Sequence, residues 1–75
     1  MINKVRQLIN TVLRNRGKSE IAVIDENSRL RNDIGFDSLD LAELTVRIEA
    51  EYDVDIFRDG IVNTVGEILE KIAAN

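Results

Sequence analysis

The apolar residues of this chain recur at helical spacing in three stretches, and nowhere do they keep up the alternation of a strand. Ile2, Val5, Leu8, Ile9, Val12 and Leu13 form the first run, with Asn3, Lys4, Arg6, Gln7, Asn10 and Thr11 between them. Residues three and four apart share a helix face, so the run reads as a one-faced amphipathic helix. Gly17 supplies its stop signal. The second helix is expected from about Ser38 to Tyr52, capped by Asp37 or Ser38 and with Asp40 in its first turn. The last begins at Thr64, where Thr64-Val65-Gly66-Glu67 has the form of a capping box, and Val65, Ile68, Leu69 and Ile72 make one stripe. Ile56, Phe57, Ile61 and Val62 predict a short element before it. The expected fold is all-α: a small four-helix bundle, three longer helices plus one short helix, in a single domain over residues 1–75.

The chain has 75 residues, 44% of them apolar, which suits one folded domain. At this length a core supplies only about 3–5 kcal/mol. Without Cys or His there is no disulfide or soft metal site to add to it, so helix packing must carry stability. Residues 18–36 keep no period and hold Asp25, Asn27, Ser28, Asn32 and Gly35. They read as a long ordered loop, with a helical turn near Ile21–Ile24 and with Leu30 and Ile34 pinning it to the core. Long loops are uncommon in small domains and often functional.

Charge is unevenly placed. Residues 1–31 carry seven basic and three acidic side chains, and residues 32–75 carry eleven acidic and three basic. An acidic second half argues against nucleic acid, whose backbone calls for clustered cations, and fits docking on basic protein surfaces. The lack of cysteine fits a cytoplasmic protein. No apolar run approaches the roughly 20 residues that span a bilayer, so no membrane insertion is expected.

The second helix is apolar on two sides. Leu41, Leu44, Ile48 and Tyr52 form the expected core face. Leu39, Ala42, Val46 and Ala50 gather opposite, bordered by Glu43 and Glu49, with Asp40 and Arg47 further round. A domain this small does not bury a helix all round, so the second stripe reads as a docking surface. The alternative is that Leu39 or Val46 packs against the long loop.

Autonomous catalysis is not expected. Counting a calcium loop from Asp53 puts Phe57, Arg58 and Thr64 where an EF-hand needs an acid or amide, glycine and glutamate. No P-loop, dinucleotide-binding glycine set or zinc signature is present, and no metal site is expected. What remains is Ser38, a hydroxyl at a helix start. A serine there is ordinarily a cap, but it is also a place to attach a group the chain lacks.

The run Asp33-Ile34-Gly35-Phe36-Asp37-Ser38-Leu39-Asp40-Leu41-Ala42-Glu43-Leu44 resembles the signature of acyl carrier proteins, whose core is Gly-x-Asp-Ser-Leu. The similarity extends over essentially the whole chain, including the loop with Leu30, Ile56 and the Thr64–Glu67 start of the last helix. It implies that Ser38 carries 4′-phosphopantetheine, delivered from coenzyme A by a phosphopantetheinyl transferase, and that Asp37 and Leu39 help that enzyme recognise the site. It also implies that Leu39, Ala42 and Val46 touch acyl-loading and synthase enzymes and that Glu43 and Glu49 meet basic patches on them, with Asp40 among the docking residues. The implied function is that of a monomeric, non-enzymatic carrier of acyl thioesters for fatty-acid, polyketide or related specialised biosynthesis. Two alternatives are a carrier of aminoacyl or other unusual acids, and a non-covalent module with a carrier-like fold. Phe36, Ala50 and Ile56-Phe57-Arg58 depart from the primary fatty-acid carriers, and Phe36 shifts the expectation toward specialised cargo.

Overall fold

The computed structural model describes residues 1–75 as three helices and their connections. Helix α1 spans Ile2–Asn15, α2 spans Ser38–Tyr52 and α3 spans Val65–Ala74. The amphipathic pattern of α1 places Val5, Ile9, Val12 and Leu13 in the core, where they meet Leu41, Leu44 and Ile48 of α2 and Val65, Ile68 and Ile72 of α3. Gly17 ends α1 as expected. Its φ of +71° is in the left-handed region, and the Lys18 and Gly17 amides donate back to the carbonyls of Leu13 (2.8 Å) and Arg14 (3.0 Å). This is the paired-bond ending that glycine permits.

The long connection between α1 and α2 is ordered by three anchors. Leu30, Ile34 and Phe36 are buried. The buried amide of Asn10 clamps the backbone of Ile21, accepting from its N–H (2.7 Å) and donating to its carbonyl (2.9 Å). Asn10 therefore belongs to the loop's anchorage rather than to a free polar face. Further on, the loop pairs with the approach to α3. The Leu30 amide donates to Asn63 (2.8 Å), and the Val65 and Gly66 amides donate to the carbonyls of Ser28 (3.0 Å) and Glu26 (2.9 Å). The expected helical turn at Ile21–Ile24 is absent, because Asn10 draws that segment into an extended path with one bend at Ala22.

Glycine is needed at position 66 for space. A Cβ there would lie 2.9 Å from the Glu26 carbonyl oxygen and 3.3 Å from the Glu26 Cβ. Thr64 caps α3, its hydroxyl accepting from the Glu67 amide (3.2 Å). The return bond expected of a capping box runs instead from the Thr64 hydroxyl to the Glu67 carboxylate (3.3 Å).

The fold is all-helical with three helices, and the short fourth helix expected near Ile56–Val62 is a turn. The Asp55 carboxylate accepts from the Phe57 amide (3.1 Å), its carbonyl accepts from Arg58 (3.2 Å), and Phe57 accepts from Gly60 (3.3 Å). Gly60, at φ +135°, then leaves the helical region. Buried Ile56 and Val62 hold the two sides of this turn in the core, leaving Ile61 exposed. So short a segment has too few helical bonds to offset the cost of nucleation.

Candidate functional site at the start of the second helix

Asp37, and not Ser38, is the N-cap of α2. Its backbone is extended (φ −97°, ψ −175°), and its carboxylate accepts from the Asp40 amide (2.9 Å). The Asp40 carboxylate returns the bond by accepting from the Asp37 amide (3.0 Å), which completes a capping box. An Asp cap of this kind contributes about 0.5–2 kcal/mol to helix stability. Ser38 is thereby freed of capping duty and stands as the first helical residue, exposed.

The setting of the Ser38 hydroxyl suits an anion. The amides of Ser38 and Leu39 have no acceptor within the protein, as the first turn of a helix dictates. The helix dipole adds positive potential there. The Arg31 guanidinium donates to Ser38 Oγ at 3.4 Å. Gly35, at φ +87°, turns the chain so that the preceding loop runs back beside the helix start.

Asp40 corrects an expectation. The sequence places it among the docking residues, but it is 0% exposed. Lys18 donates to its Oδ2, and Arg16 Nε lies 2.9 Å from Oδ1 in ionic contact outside hydrogen-bonding alignment. Burial pushes the Asp40 pKa up, but the Lys18 hydrogen bond, the Asp37 amide and the nearby charges of Lys18 and Arg16 outweigh it. Its net position is below the ordinary carboxylate value. Asp40 thus ties the end of α1 to the start of α2. Asp37 shares the same cations, with Arg16 at 3.5 Å and Lys18 at 3.9 Å.

The remaining named residues lie together along the outer side of α2. Leu39 and Val46 are 64% and 67% exposed, and Ala42, Glu49 and Ala50 are exposed beside them. The long loop leaves Leu39 and Val46 largely uncovered. Glu43 is half-buried at the edge of this strip. Hydrogen bonds from the Asn15 amide (3.1 Å) and the Arg47 guanidinium (3.0 Å) hold its carboxyl below the usual value against the opposing effect of burial. Arg47 pairs with Glu43 and leaves Glu51 to Lys4 of α1 (2.7 Å). Phe36, which suggested specialised cargo, is 3% exposed, so its side chain acts on core packing beneath the site.

Arg16, Lys18 and Arg31 were not singled out by the sequence. The first two follow the stop of α1, and the third lies within a loop without periodicity. No local pattern signals that all three converge on Asp37–Asp40.

Comparison with known proteins gives one answer. Residues 3–72 match the family described as the phosphopantetheine attachment site. The acyl carrier protein of Rickettsia typhi is 32% identical over 72 residues, covering 93% of this chain and 84% of its own. That of Rickettsia canadensis is 31% identical over the same coverage. The mitochondrial acyl carrier protein of Saccharomyces cerevisiae is 40% identical over 55 residues, covering 69% of this chain and 43% of its own. The cofactor of this family is phosphopantetheine, a phosphate ester. Two free amides, a helix start and a guanidinium at an exposed hydroxyl fit such a group. With its helical fold and this match across nearly its whole length, the chain belongs to the acyl carrier proteins of the phosphopantetheine-attachment family.

Proposed function

We propose that Ser38 is the residue that carries phosphopantetheine. The observation that carries this reading is the exposed, uncapping Ser38 hydroxyl at the first position of α2, beside two amide donors without partners. In the attachment step Ser38 Oγ forms a bond to the phosphorus next to the pantetheine arm of coenzyme A. The pyrophosphate linkage breaks, the adenosine half leaves on its own phosphate, and the serine proton passes to the transferase. Once attached, the arm supplies a thiol that holds acyl groups as thioesters, which a chain without cysteine cannot do alone.

In this reading Asp37 acts first by capping the helix that presents Ser38, and Leu39 offers the modifying enzyme an apolar contact. Leu39, Ala42 and Val46 form the strip that synthase and acyl-loading enzymes cover, while Glu43 and Glu49 align it with basic patches on them. Asp40 has no part in that surface and acts by holding Asp37 in place.

The test is intact mass after incubating the apo protein with coenzyme A, Mg²⁺ and a broad-specificity phosphopantetheinyl transferase. One pantetheine adduct is expected, lost in Ser38→Ala. The absence of an adduct, or one that survives Ser38→Ala, overturns the assignment. Parallel loading of the holo protein by fatty-acyl and amino-acid ligases then assigns the cargo class, with acyl loading expected.

A further inference from the structure

Ser38 does not stand among acids alone. Arg16 and Lys18 flank Asp37 and Asp40, and Arg31 reaches Ser38 between them, three cations against two carboxylates. Arg16 and Lys18 are engaged by the buried Asp40 and reach Asp37 as well. Asp37 is committed further, one of its oxygens accepting from the Asp40 amide. Neighbouring Arg29 is held by Asp33, through Nε at 3.2 Å and a terminal nitrogen at 3.3 Å. Arg31 alone in this group pairs with no carboxylate. Its one side-chain partner is the neutral Ser38 oxygen, at a distance long for a charge-assisted bond. The site thus carries one positive charge without a counter-ion, within reach of the oxygen that the modification would esterify.

We propose that Arg31 is the residue of this chain that holds the phosphodiester of the attached arm. The inference rests on Ser38 being the attachment residue. An ester of phosphate on Ser38 Oγ puts one negative charge where Arg31 already donates, and it balances the local excess. A guanidinium forks onto two phosphate oxygens in a way an ammonium does not. The turn at 29–35 prepares this placement. The Arg29 carbonyl accepts from the amides of Asp33 and Ile34 (3.0 Å each), and Leu30 accepts from Phe36 (2.9 Å). Buried Leu30 on one side and the Arg29–Asp33 pair on the other leave Arg31 facing the helix start. Arg31 is thus a positioning residue. It fixes the root of the arm and so biases the direction in which the thioester leaves the domain.

The experiment compares wild type, Arg31→Ala and Arg31→Lys, each apo and loaded, with intact mass to verify loading. Arg31 is exposed, so all apo forms are expected to melt alike. In the wild type, loading is expected to shift the Arg31 Nε–H resonance. It should also slow solvent exchange by about three- to tenfold, as for a charge-assisted bond partly screened by water. The phosphorus resonance of the arm is expected to move between wild type and Arg31→Ala and to fall between them in Arg31→Lys. Added salt should shift it in the wild type and leave it unmoved in Arg31→Ala. A loaded protein whose phosphorus and Arg31 signals ignore the substitution and the loading overturns the role of Arg31 and leaves Ser38 standing. A protein that accepts no arm overturns both.

Discussion

Both ends of α2 carry carboxylates and treat them oppositely. At its start, Asp37 and Asp40 are met by Arg16 and Lys18, Arg31 stands at Ser38 between them, and Asp40 is wholly buried. At its finish, Glu49, Asp53, Asp55 and Asp59 face water along an open groove toward α3, with Arg58 and Lys71 nearby. Among these four the one ion pair is Asp59 with Lys71, at 4.0 Å, while Glu51 beside them is taken by Lys4. Acid is structural where the core backs it and cations meet it. Where it is only exposed, it repels its neighbours and is left to salt or a basic partner. Ser38, the proposed attachment residue, sits at the end where cations outnumber carboxylates, so a new negative charge there adds least repulsion.

The largest expected effect that sharpens this contrast is at Asp40. Asp40→Ala removes half of the capping box and leaves Arg16 and Lys18 only their longer contacts with Asp37, and about 3 kcal/mol of unfolding free energy is expected to be lost. Asp40→Asn keeps an acceptor for the Asp37 amide and should lose less. Asp59→Asn at the other end should change stability little. Urea unfolding at neutral pH measures all three, and equal effects at both ends would break the comparison.

Acid should act through the same carboxylate. The folded pKa of Asp40 lies below its unfolded value, so the unfolded chain binds the proton more readily. The stability Asp40 contributes is complete above the ordinary carboxylate pKa and is lost as pH falls through that value toward the folded one. Denaturation curves from pH 6 down to about pH 3, within the usual carboxylate range, should fall more steeply in wild type than in Asp40→Asn.

Smaller effects belong to the other end. Asp53 is the one non-glycine residue with positive φ (58°), and it places a negative charge at the helix C-terminus. Asp53→Gly removes both penalties and should stabilise by about 0.5–1 kcal/mol in thermal or urea unfolding. Smallest is the response to ions. Moderate salt or Mg²⁺ should raise the melting temperature slightly, and neutralising Asp53, Asp55 and Asp59 together should flatten that rise. A falling melting temperature would show that the ion pairs at the start of α2 dominate the response.

Much of this was open to reading along the chain. The limits of α2, the stop at Gly17 and the exposed strip of Leu39, Ala42 and Val46 follow from spacing and capping, which are local. The turn at Asp55–Gly60 was not legible as such, because apolar anchors in so short a run suit a helix and a turn equally. Phe36 by its identity alone points to cargo, and its burial makes it a packing residue. Asp40 lies on the rim of the helix by periodicity and became a core ion pair once α1 ended against it.

The helices and the exposure of Ser38 are thus properties of neighbouring residues, since backbone capping and side-chain periodicity act over a few positions. The cationic setting of Ser38 is not. Arg16 and Lys18 arrive from the end of α1 and Arg31 from the loop. Their approach depends on how α1 packs on α2 and on where Leu30, Ile34 and Phe36 enter the core. Coulomb forces act through space, so charges distant in the chain meet only when packing brings them together.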